Sequence, residues 1–298
     1  MKSDPKRIYV SNKVSVQQVF KGCVGQDGAI YGDMLFRFES NGDCTVFSLK
    51  RHSEIAKFTL DKADILKPHS NSVSFGVERI SPDDEFPVLY TNIYNNYSGA
   101  EDRLEGVCCV YRIMRCGSGF SSKLVQVIKI GFVDDLSLWK SLPDNGDVRP
   151  YGNFVADVFN GRLYAFTMRD AEKVTRYFSF ALPEAGEGEY SAEWDANVVV
   201  LRESDIISMF DSEYSNYLQG ACAYGGMLIS VEGFNVADKN QPNRPRMQVI
   251  DMEAGCQLAA VELCDYDLYV EPELVDFAGN DLIYMDASGA AAIISFEQ

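Results

Sequence analysis

Metal-binding residues are scarce in this 298-residue sequence, which has two histidines and, despite eight cysteines, no C-x-x-C pair. Structural zinc sites usually combine closely spaced Cys and His ligands, so no zinc site is predicted. Oxygen ligands for Ca²⁺ could come from Gln26, Asn71 and Glu273, but no motif requires a metal or a cofactor. The run VCCVYRI (107–113) places Cys108 and Cys109 in a predicted strand, where cysteine acts as a small hydrophobic residue.

Basic residues are also few. The sequence has 27 Lys and Arg against 44 Asp and Glu, which gives a net charge of −17. An acidic surface repels nucleic-acid phosphates and anionic lipids, so nucleic-acid and membrane partners are not expected. No apolar run reaches the roughly 18 residues of a membrane span, and the first residues lack the apolar segment of a signal peptide. We therefore expect a cytoplasmic protein.

Helical periodicity is almost absent. Only residues 134–142 and 204–214 resemble short helices, the second with Ser204 as a candidate cap. The chain consists instead of short β-type runs separated by turn signals. Asn41-Gly42 between two such runs predicts a hairpin. With 46% hydrophobic residues the chain can bury a large core, and the sequence predicts an all-β fold.

One phrase occurs twice, as QDGAIYGDMLF (26–36) and QGACAYGGMLI (219–229), with five of eleven positions identical. Looser copies occupy residues 69–76, 153–166 and 271–285. Each copy opens a unit of three or four predicted strands. Such a repeat is typical of a β-propeller, in which each blade is a small meander whose first strand lines the central channel. Five copies predict five blades, each a four-stranded antiparallel sheet, although their spacing is uneven.

The repeat divides the chain into blades with approximate limits. These limits are 21–62, 63–133, 148–202, 215–265 and 268–298. The last unit has three strands, and the strand-like segment 7–20 is expected to supply its fourth strand and close the ring. Residues 1–298 would then form a single domain. A β-sandwich or a two-domain all-β protein is the alternative.

Several phrases resemble known sequences. "QG…Y…L", "FPVLY" and "RPYGNFVAD…LYAFTMRD" are similar to phrases of uncharacterised bacterial β-propeller proteins, and the five-bladed forms are the most similar. The resemblance extends over nearly the whole chain. It implies the propeller fold but no activity, and neither a repeated Trp-Asp dipeptide nor an Asp-box occurs.

The polar residues that start each copy are the candidate ligand site. In a propeller the first strand of each blade begins at the mouth of the channel. The candidate ligand-binding residues there are Gln26, His69, Asn71, Asn153, Gln219, Glu271 and Glu273. Amide side chains both donate and accept hydrogen bonds, which suits a neutral hydroxylated ligand such as a sugar. Alternatively, these residues connect blades or hold channel water.

Two long insertions, 95–106 and 235–246, lie between the second and third predicted strands of their blades. Both should emerge on the face of the propeller that carries the channel mouth. Loops on a rigid scaffold commonly carry binding residues. The side chains expected to wall the mouth are Tyr94, Tyr97, Arg103, Arg244 and Arg246. The aromatic rings could stack on a ligand. The arginines could hold a carboxylate or phosphate, or could offset nearby acidic residues.

No catalytic residue is assigned, and whether the protein is an enzyme stays open. G-x-S-x-G is absent, His52 lies in a predicted hairpin turn, and His69 is the better acid–base candidate. A glycosidase would need two carboxyl groups about 5–9.5 Å apart. Its candidates are Asp27, Asp157, Glu271, Glu273 and Asp276. Our main hypothesis is a module that binds a small polar ligand, for example a carbohydrate, or a peptide at the mouth. The alternatives are a glycosidase-like hydrolase and a protein-interaction scaffold.

Overall fold

A computed structural model describes residues 9–66, 68–93, 106–130, 153–169, 172–215 and 217–297. Strands dominate these segments. In chain order they are β1 (Val14–Lys21), β2 (Gly28–Tyr31), β3 (Met34–Phe38), β4 (Asp43–Ser48), β5 (Ser53–Thr59), β6 (Val73–Phe75), β7 (Leu89–Ile93), β8 (Val107–Cys116), β9 (Gly119–Ile130), β10 (Asn153–Asp157), β11 (Arg162–Arg169), β12 (Val174–Ala181), β13 (Glu189–Ser191), β14 (Ala196–Leu201), β15 (Ser208–Glu213), β16 (Leu218–Tyr224), β17 (Met227–Glu232), β18 (Arg246–Asp251), β19 (Cys256–Glu262), β20 (Pro272–Ala278), β21 (Asp281–Asp286) and β22 (Ala290–Phe296). The described helices are one turn of α-helix, α1 (Ala63–Leu66), and two short 3-10 helices, Glu203–Asp205 and Leu263–Tyr266.

The strands form five sheets, which we call blades 1 to 5. Their strand orders are β2-β3-β4-β5, β6-β7-β8-β9-β14-β13, β10-β11-β12-β15, β16-β17-β18-β19 and β20-β21-β22-β1. The first strand of each blade contacts the first strands of the neighbouring blades, in the cyclic order β2, β6, β10, β16, β20. This arrangement is a five-bladed β-propeller, and the predicted fold is confirmed.

The repeated phrase encodes an inner strand, a tight turn and a second strand. Tyr31 pairs with Met34 in the first copy, and Tyr224 pairs with Met227 in the second. Gly32 and Gly225 follow the tyrosines with φ near +60°, a conformation that glycine adopts without strain. The identical Tyr, Gly and Met positions therefore mark the same hairpin in blades 1 and 4.

The N-terminal strand closes the ring as predicted. Strand β1 pairs with β22 in antiparallel register, from Val14 opposite Phe296 to Lys21 opposite Ala290. Strand β1, which overlaps the predicted segment 7–20, thus forms the outer strand of blade 5. This pairing satisfies the edge of β22, which would otherwise present unpaired backbone groups to solvent.

Blade 2 is larger than the other sheets. The sequence-based limits place residues 189–201 in the third unit, whereas β13 and β14 extend blade 2 beyond β9. Strand β14 runs parallel to β9, with Asn197 opposite Gln126 and Leu201 opposite Ile130. The outer strand of blade 3 is instead β15, which pairs with β12.

The helix predicted over residues 204–214 is wrong. A 3-10 helix covers Glu203–Asp205, and Ser208–Glu213 forms β15. Exposure alternates along β15 with the period of two that a strand requires. Phe210 stacks on Tyr177 at 5.3 Å between ring centroids, so pairing with β12 decides the conformation of this segment. The helix predicted over 134–142 lies outside the described residues.

Apolar side chains fill the spaces between blades. Cys109 belongs to the cluster that joins blades 1 and 2, whereas Cys108 belongs to the cluster that joins blades 2 and 3. The two thiols thus lie on opposite faces of β8, as alternation predicts, and all eight cysteines are free. In the described part of the chain, no helix is long and apolar enough to cross a membrane.

Candidate functional site

A pocket of about 240 Å³ lies where the inner strands begin, and we call it the mouth pocket. Its lining residues are Gln26, His69, Asn71, Met168, Tyr217, Leu218, Gln219, Phe234 and Glu271. Five of the seven candidate ligand-binding residues thus line one pocket, because the repeat places the starts of the inner strands at the same height. The other two, Asn153 and Glu273, lie behind its wall or next to it.

A chain of hydrogen bonds crosses one side of the mouth pocket. His69 Nε2 lies 3.2 Å from Gln26 Oε1, and Gln26 Nε2 donates to Glu273 Oε1 at 3.5 Å. Burial lowers the pKa of His69 to about 4. The ring is therefore neutral at pH 7. Its Nε2–H donates to Gln26, which leaves Nδ1 as an acceptor.

A second hydrogen-bonded pair crosses the other side. Gln219 Nε2 donates to Glu271 Oε1 at 2.7 Å. The backbone N–H of Glu271 donates to Asn235 Oδ1 at 2.7 Å, so the insertion 235–246 holds this residue in place. Burial raises the pKa of Glu271, and the hydrogen bond from Gln219 opposes that rise.

Asn153 is fully buried and connects blades. Its Nδ2 donates to the carbonyl oxygen of Gln219 at 2.6 Å, and its Oδ1 accepts from Asn92 Nδ2 at 3.1 Å. Asn92 in turn accepts from the backbone N–H of Ser72 through Oδ1 at 3.1 Å. The Asn153 side chain therefore binds the backbone of Gln219 on the buried side of the mouth pocket and does not face a ligand. Asn92 lies in the second strand of blade 2 and is not among the residues predicted from the sequence.

Glu273 lies beneath Gln26 and is only 4% exposed. Burial raises its pKa to about 8, while the Arg37 guanidinium opposes this rise and the carboxyl groups of Glu271 and Asp286 add to it. Arg37 is buried as well, and burial lowers its pKa. It donates from Nη2 to the carbonyl oxygens of Gly25 and Asp286, at 2.6 and 3.3 Å. Glu273 is thus mostly protonated at pH 7.

Two aromatic residues at the mouth pocket were missed by sequence analysis. The rings of Tyr217 and Phe234 lie 3.9 Å apart between centroids and are tilted by 36°. Both remain more than a third exposed, at 39% and 38%. Tyr217 directly precedes β16, and Phe234 directly precedes the insertion 235–246. Aromatic residues flanking the second copy of the repeated phrase were the signal that would have identified them.

The arginines expected to wall the mouth are paired with acidic residues and do not line the mouth pocket. Arg244 Nε lies 2.6 Å from Glu262 Oε2. Arg246 lies 2.8 Å from Glu213 and 3.5 Å from Glu232. Their charges are offset within and beside blade 4, so the hypothesis that they hold an anionic ligand loses its support. Tyr94, Tyr97 and Arg103 lie outside the described residues.

Three of the five carboxylates considered for catalysis connect neighbouring blades instead. Asp276 Oδ2 accepts from Ile30 N at 2.7 Å, Asp27 Oδ2 from Val73 N at 2.9 Å, and Asp157 Oδ2 from Gly226 N at 2.6 Å. Buried backbone N–H groups need such acceptors. Only Glu271 and Glu273 remain beside the mouth.

The other candidates contribute nothing to this site. His52 lies in the β4–β5 turn with its ring stacked on Phe20 at 4.7 Å. Within the described segments, no group of three or more His, Cys, Asp or Glu side chains is arranged to hold a metal ion.

The known structures that resemble this chain do so at low sequence identity. No protein-family model and no curated protein sequence matches this chain. Among solved structures, BamB from Moraxella catarrhalis is 9% identical over 92% of this chain and 58% of that chain, with a TM-score of 0.37. The chain therefore spans less than two thirds of that protein. A glutaminyl cyclase from Myxococcus xanthus is 8% identical over 94% and 95%, with a TM-score of 0.48.

The beta-propeller domain of Cps50 (Swd1) from Myceliophteria thermophila is 7% identical over 91% of this chain and 83% of that chain, with a TM-score of 0.40. Similarities at this level support no argument about function. The strand order of the chain itself makes it a five-bladed β-propeller.

Proposed function

We propose that this protein is a binding module whose mouth pocket takes a small hydroxylated ligand, with a carbohydrate as the favoured class. The observation that carries the proposal is the exposed aromatic pair Tyr217 and Phe234 beside the amide and carboxyl groups of Gln219 and Glu271. A sugar has an apolar C–H face, which stacks on aromatic rings, and hydroxyl groups, which need both donors and acceptors.

The hydrogen-bonding capacity of the pocket supports this class of ligand. Asn71 lines the pocket, and its Oδ1 has no hydrogen-bond partner in the described part of the chain. His69 Nδ1 is a second acceptor. Both accept hydrogen bonds from neutral hydroxyl groups. An anionic ligand is disfavoured, because Glu271 lines the same pocket and the net charge of the chain is −17.

A glycosidase-like reaction is the second candidate, because Glu271 and Glu273 are the carboxyl groups beside the mouth and the pKa of Glu273 is raised to about 8. A protonated carboxyl group could act as a general acid. We favour binding without reaction, because the Glu273 side chain is buried beneath Gln26. A scaffold that binds a protein at this face is the remaining alternative.

Thermal-shift screening with a panel of monosaccharides and short oligosaccharides tests the proposal. We expect at least one sugar to raise the Tm of the wild-type protein and to lose this effect in Tyr217→Leu. Tyr190→Leu is the matched control, because Tyr190 is a 66% exposed tyrosine on β13, outside the mouth pocket. The control should respond to the sugar as the wild type does.

Two results would contradict the proposal. One is a panel in which no sugar changes the Tm of the wild type. The other is a sugar whose effect survives Tyr217→Leu, since the aromatic pair would then have no part in binding. Incubation of the wild type with any sugar found to bind, followed by product analysis, separates binding from hydrolysis. Loss of a hydrolysis product in Glu273→Gln would favour the enzyme.

A further inference from the structure

A second cavity, of about 350 Å³, lies at the opposite end of the channel from the mouth pocket, and we call it the lower pocket. Its lining residues are Ile30, Tyr31, Gly32, Phe75, Gly76, Val77, Arg79, Pro87, Val158, Phe159, Phe277 and Gly279. Most of these residues lie at or just after the ends of β2, β6, β10 and β20, and Arg79 and Pro87 lie in the loop between β6 and β7. The inner strands run from the mouth pocket to this end, so the two pockets are separate sites.

A long loop in blade 2 forms one wall of the lower pocket. Two residues connect β2 to β3 and two connect β20 to β21, whereas residues 76–88 connect β6 to β7. Arg112 pairs with Asp84 at 2.5 Å and Arg115 pairs with Glu85 at 2.7 Å. The wall is therefore held in place by blade 2 without a ligand. Preformed concave pockets of about 300–1000 Å³ are typical of small-molecule sites.

Half of the remaining lining residues are aromatic: Tyr31, Phe75, Phe159 and Phe277. Phe159 contacts Tyr224 at 4.9 Å between ring centroids, and Tyr224 contacts Phe277 at 5.0 Å. On the other side, Tyr31 and Phe75 lie 5.6 Å apart. These ring contacts fix the side chains around the cavity. An apolar ligand body, such as one ring, is the shape and chemistry that such walls accept.

The polar side chains that line the lower pocket are those of Tyr31 and Arg79. Arg79 donates from Nε to the carbonyl oxygen of Asp84 at 3.0 Å and from Nη2 to the Tyr31 hydroxyl at 2.8 Å. Both acceptors are neutral, so no carboxylate of the described chain neutralises this guanidinium. Because the Tyr31 oxygen accepts that bond, its own hydrogen is left to donate. Arg79 Nη1 is the second free donor.

We propose that the lower pocket binds a small apolar carboxylate, such as an aryl or branched alkyl carboxylic acid. The apolar body would fill the cavity between Phe75 and Phe277, and the carboxylate would accept hydrogen bonds from Arg79 and Tyr31. A carboxylate accepts hydrogen bonds only, and its two oxygens can accept one bond from Arg79 Nη1 and one from the Tyr31 hydroxyl. A phosphate ester fits less well, because its second charge would have no partner among these walls.

Titration calorimetry with 3-phenylpropanoate and its neutral amide, 3-phenylpropanamide, tests this site. We expect the acid to bind with a Kd of about 10 µM to 1 mM, the range open to a ligand of about eleven non-hydrogen atoms. The amide should bind at least about tenfold more weakly, because it lacks the charge that Arg79 recognises. Arg79→Met should weaken binding of the acid by a similar factor, and Tyr31→Phe by about threefold.

Control variants and measurements distinguish a loss of binding at the lower pocket from changes at the mouth pocket and from misfolding. Arg51→Met removes an exposed arginine in the β4–β5 turn of blade 1 and should leave the Kd of the acid unchanged. Tyr217→Leu alters the mouth pocket and should also leave it unchanged. The circular dichroism spectrum and Tm of Arg79→Met should match those of the wild type. Any one of three results would overturn the proposal. These are failure of the wild type to bind the acid at 10 mM, equal affinity for the acid and the amide, and full affinity for the acid in folded Arg79→Met.

Discussion

Replacing Glu273 with Gln should change how the stability of the protein depends on pH. Burial raises the pKa of Glu273 from 4.5 to about 8. The folded protein therefore keeps this proton in a range where the unfolded chain has released it. Between pH 4.5 and 8 the native state binds more protons, so the free energy of unfolding falls as pH rises. Below pH 4.5 both states are protonated, and the stabilising difference is fully present.

The magnitude follows from the two pKa values. Each pH unit inside this window changes the free energy of unfolding by up to about 1.4 kcal/mol. From pH 6 to pH 8 the wild type should lose about 2 kcal/mol through this group. His69, whose pKa is lowered to about 4, contributes in the opposite direction but only below about pH 6.5.

Urea denaturation followed by tryptophan fluorescence at pH 6, 7 and 8 measures this effect. Glu273→Gln retains the acceptor for Gln26 Nε2 and removes the titrating proton. The stability of the variant relative to the wild type should therefore increase with pH. Glu189→Gln, a change at an exposed glutamate of β13, is the control and should give a constant difference. A constant difference for Glu273→Gln as well would refute the reasoning and show that its carboxyl group ionises normally in the folded protein.

Three further changes test the closed ring. A Cβ on residue 220 would lie 2.2 Å from the backbone oxygen of residue 273, so Gly220→Ala should destabilise the protein by more than about 3 kcal/mol. A Cβ on residue 119 would meet only the backbone oxygen of residue 116, at 3.8 Å, so Gly119→Ala should have little effect in the same urea titration. Asp276→Ala leaves the Ile30 N–H without its acceptor and should lower the free energy of unfolding by about 1–3 kcal/mol, with an unchanged value arguing against the blade connection. Deleting residues 1–21 removes β1 and exposes β22, so size-exclusion chromatography should show aggregation, and a stable monomer would contradict closure by that strand.

The sequence predicted those parts of the fold that follow from local patterns. The two copies of the repeated phrase marked inner strands of blades 1 and 4, because a fixed turn needs Gly32 and Gly225 at the same position. The paired ends of the chain followed from the edge that β22 would otherwise expose. The position of β14 did not follow, because parallel pairing between residues far apart in sequence leaves no local signal.

The candidate site was predictable in outline. The alignment placed Gln26 and Gln219 at one opening, because equivalent residues of a repeat occupy equivalent heights. It did not distinguish side chains that line the pocket from those behind it, as for Asn153. Burial depends on how neighbouring inner strands approach one another. Tyr217 and Phe234 escaped notice because they lie just outside the repeated phrase.

The out-of-order position of β13 and β14 has a consequence for synthesis of the chain. After β12 the nascent chain leaves blade 3, completes blade 2 with β14 and β13, and only then returns to add β15. The outer edge of β9 therefore stays unpaired on the ribosome until residue 201 has emerged, while much of blade 3 is already available to fold. We expect this interval to be the time when the growing chain is most exposed to aggregation and most dependent on chaperones.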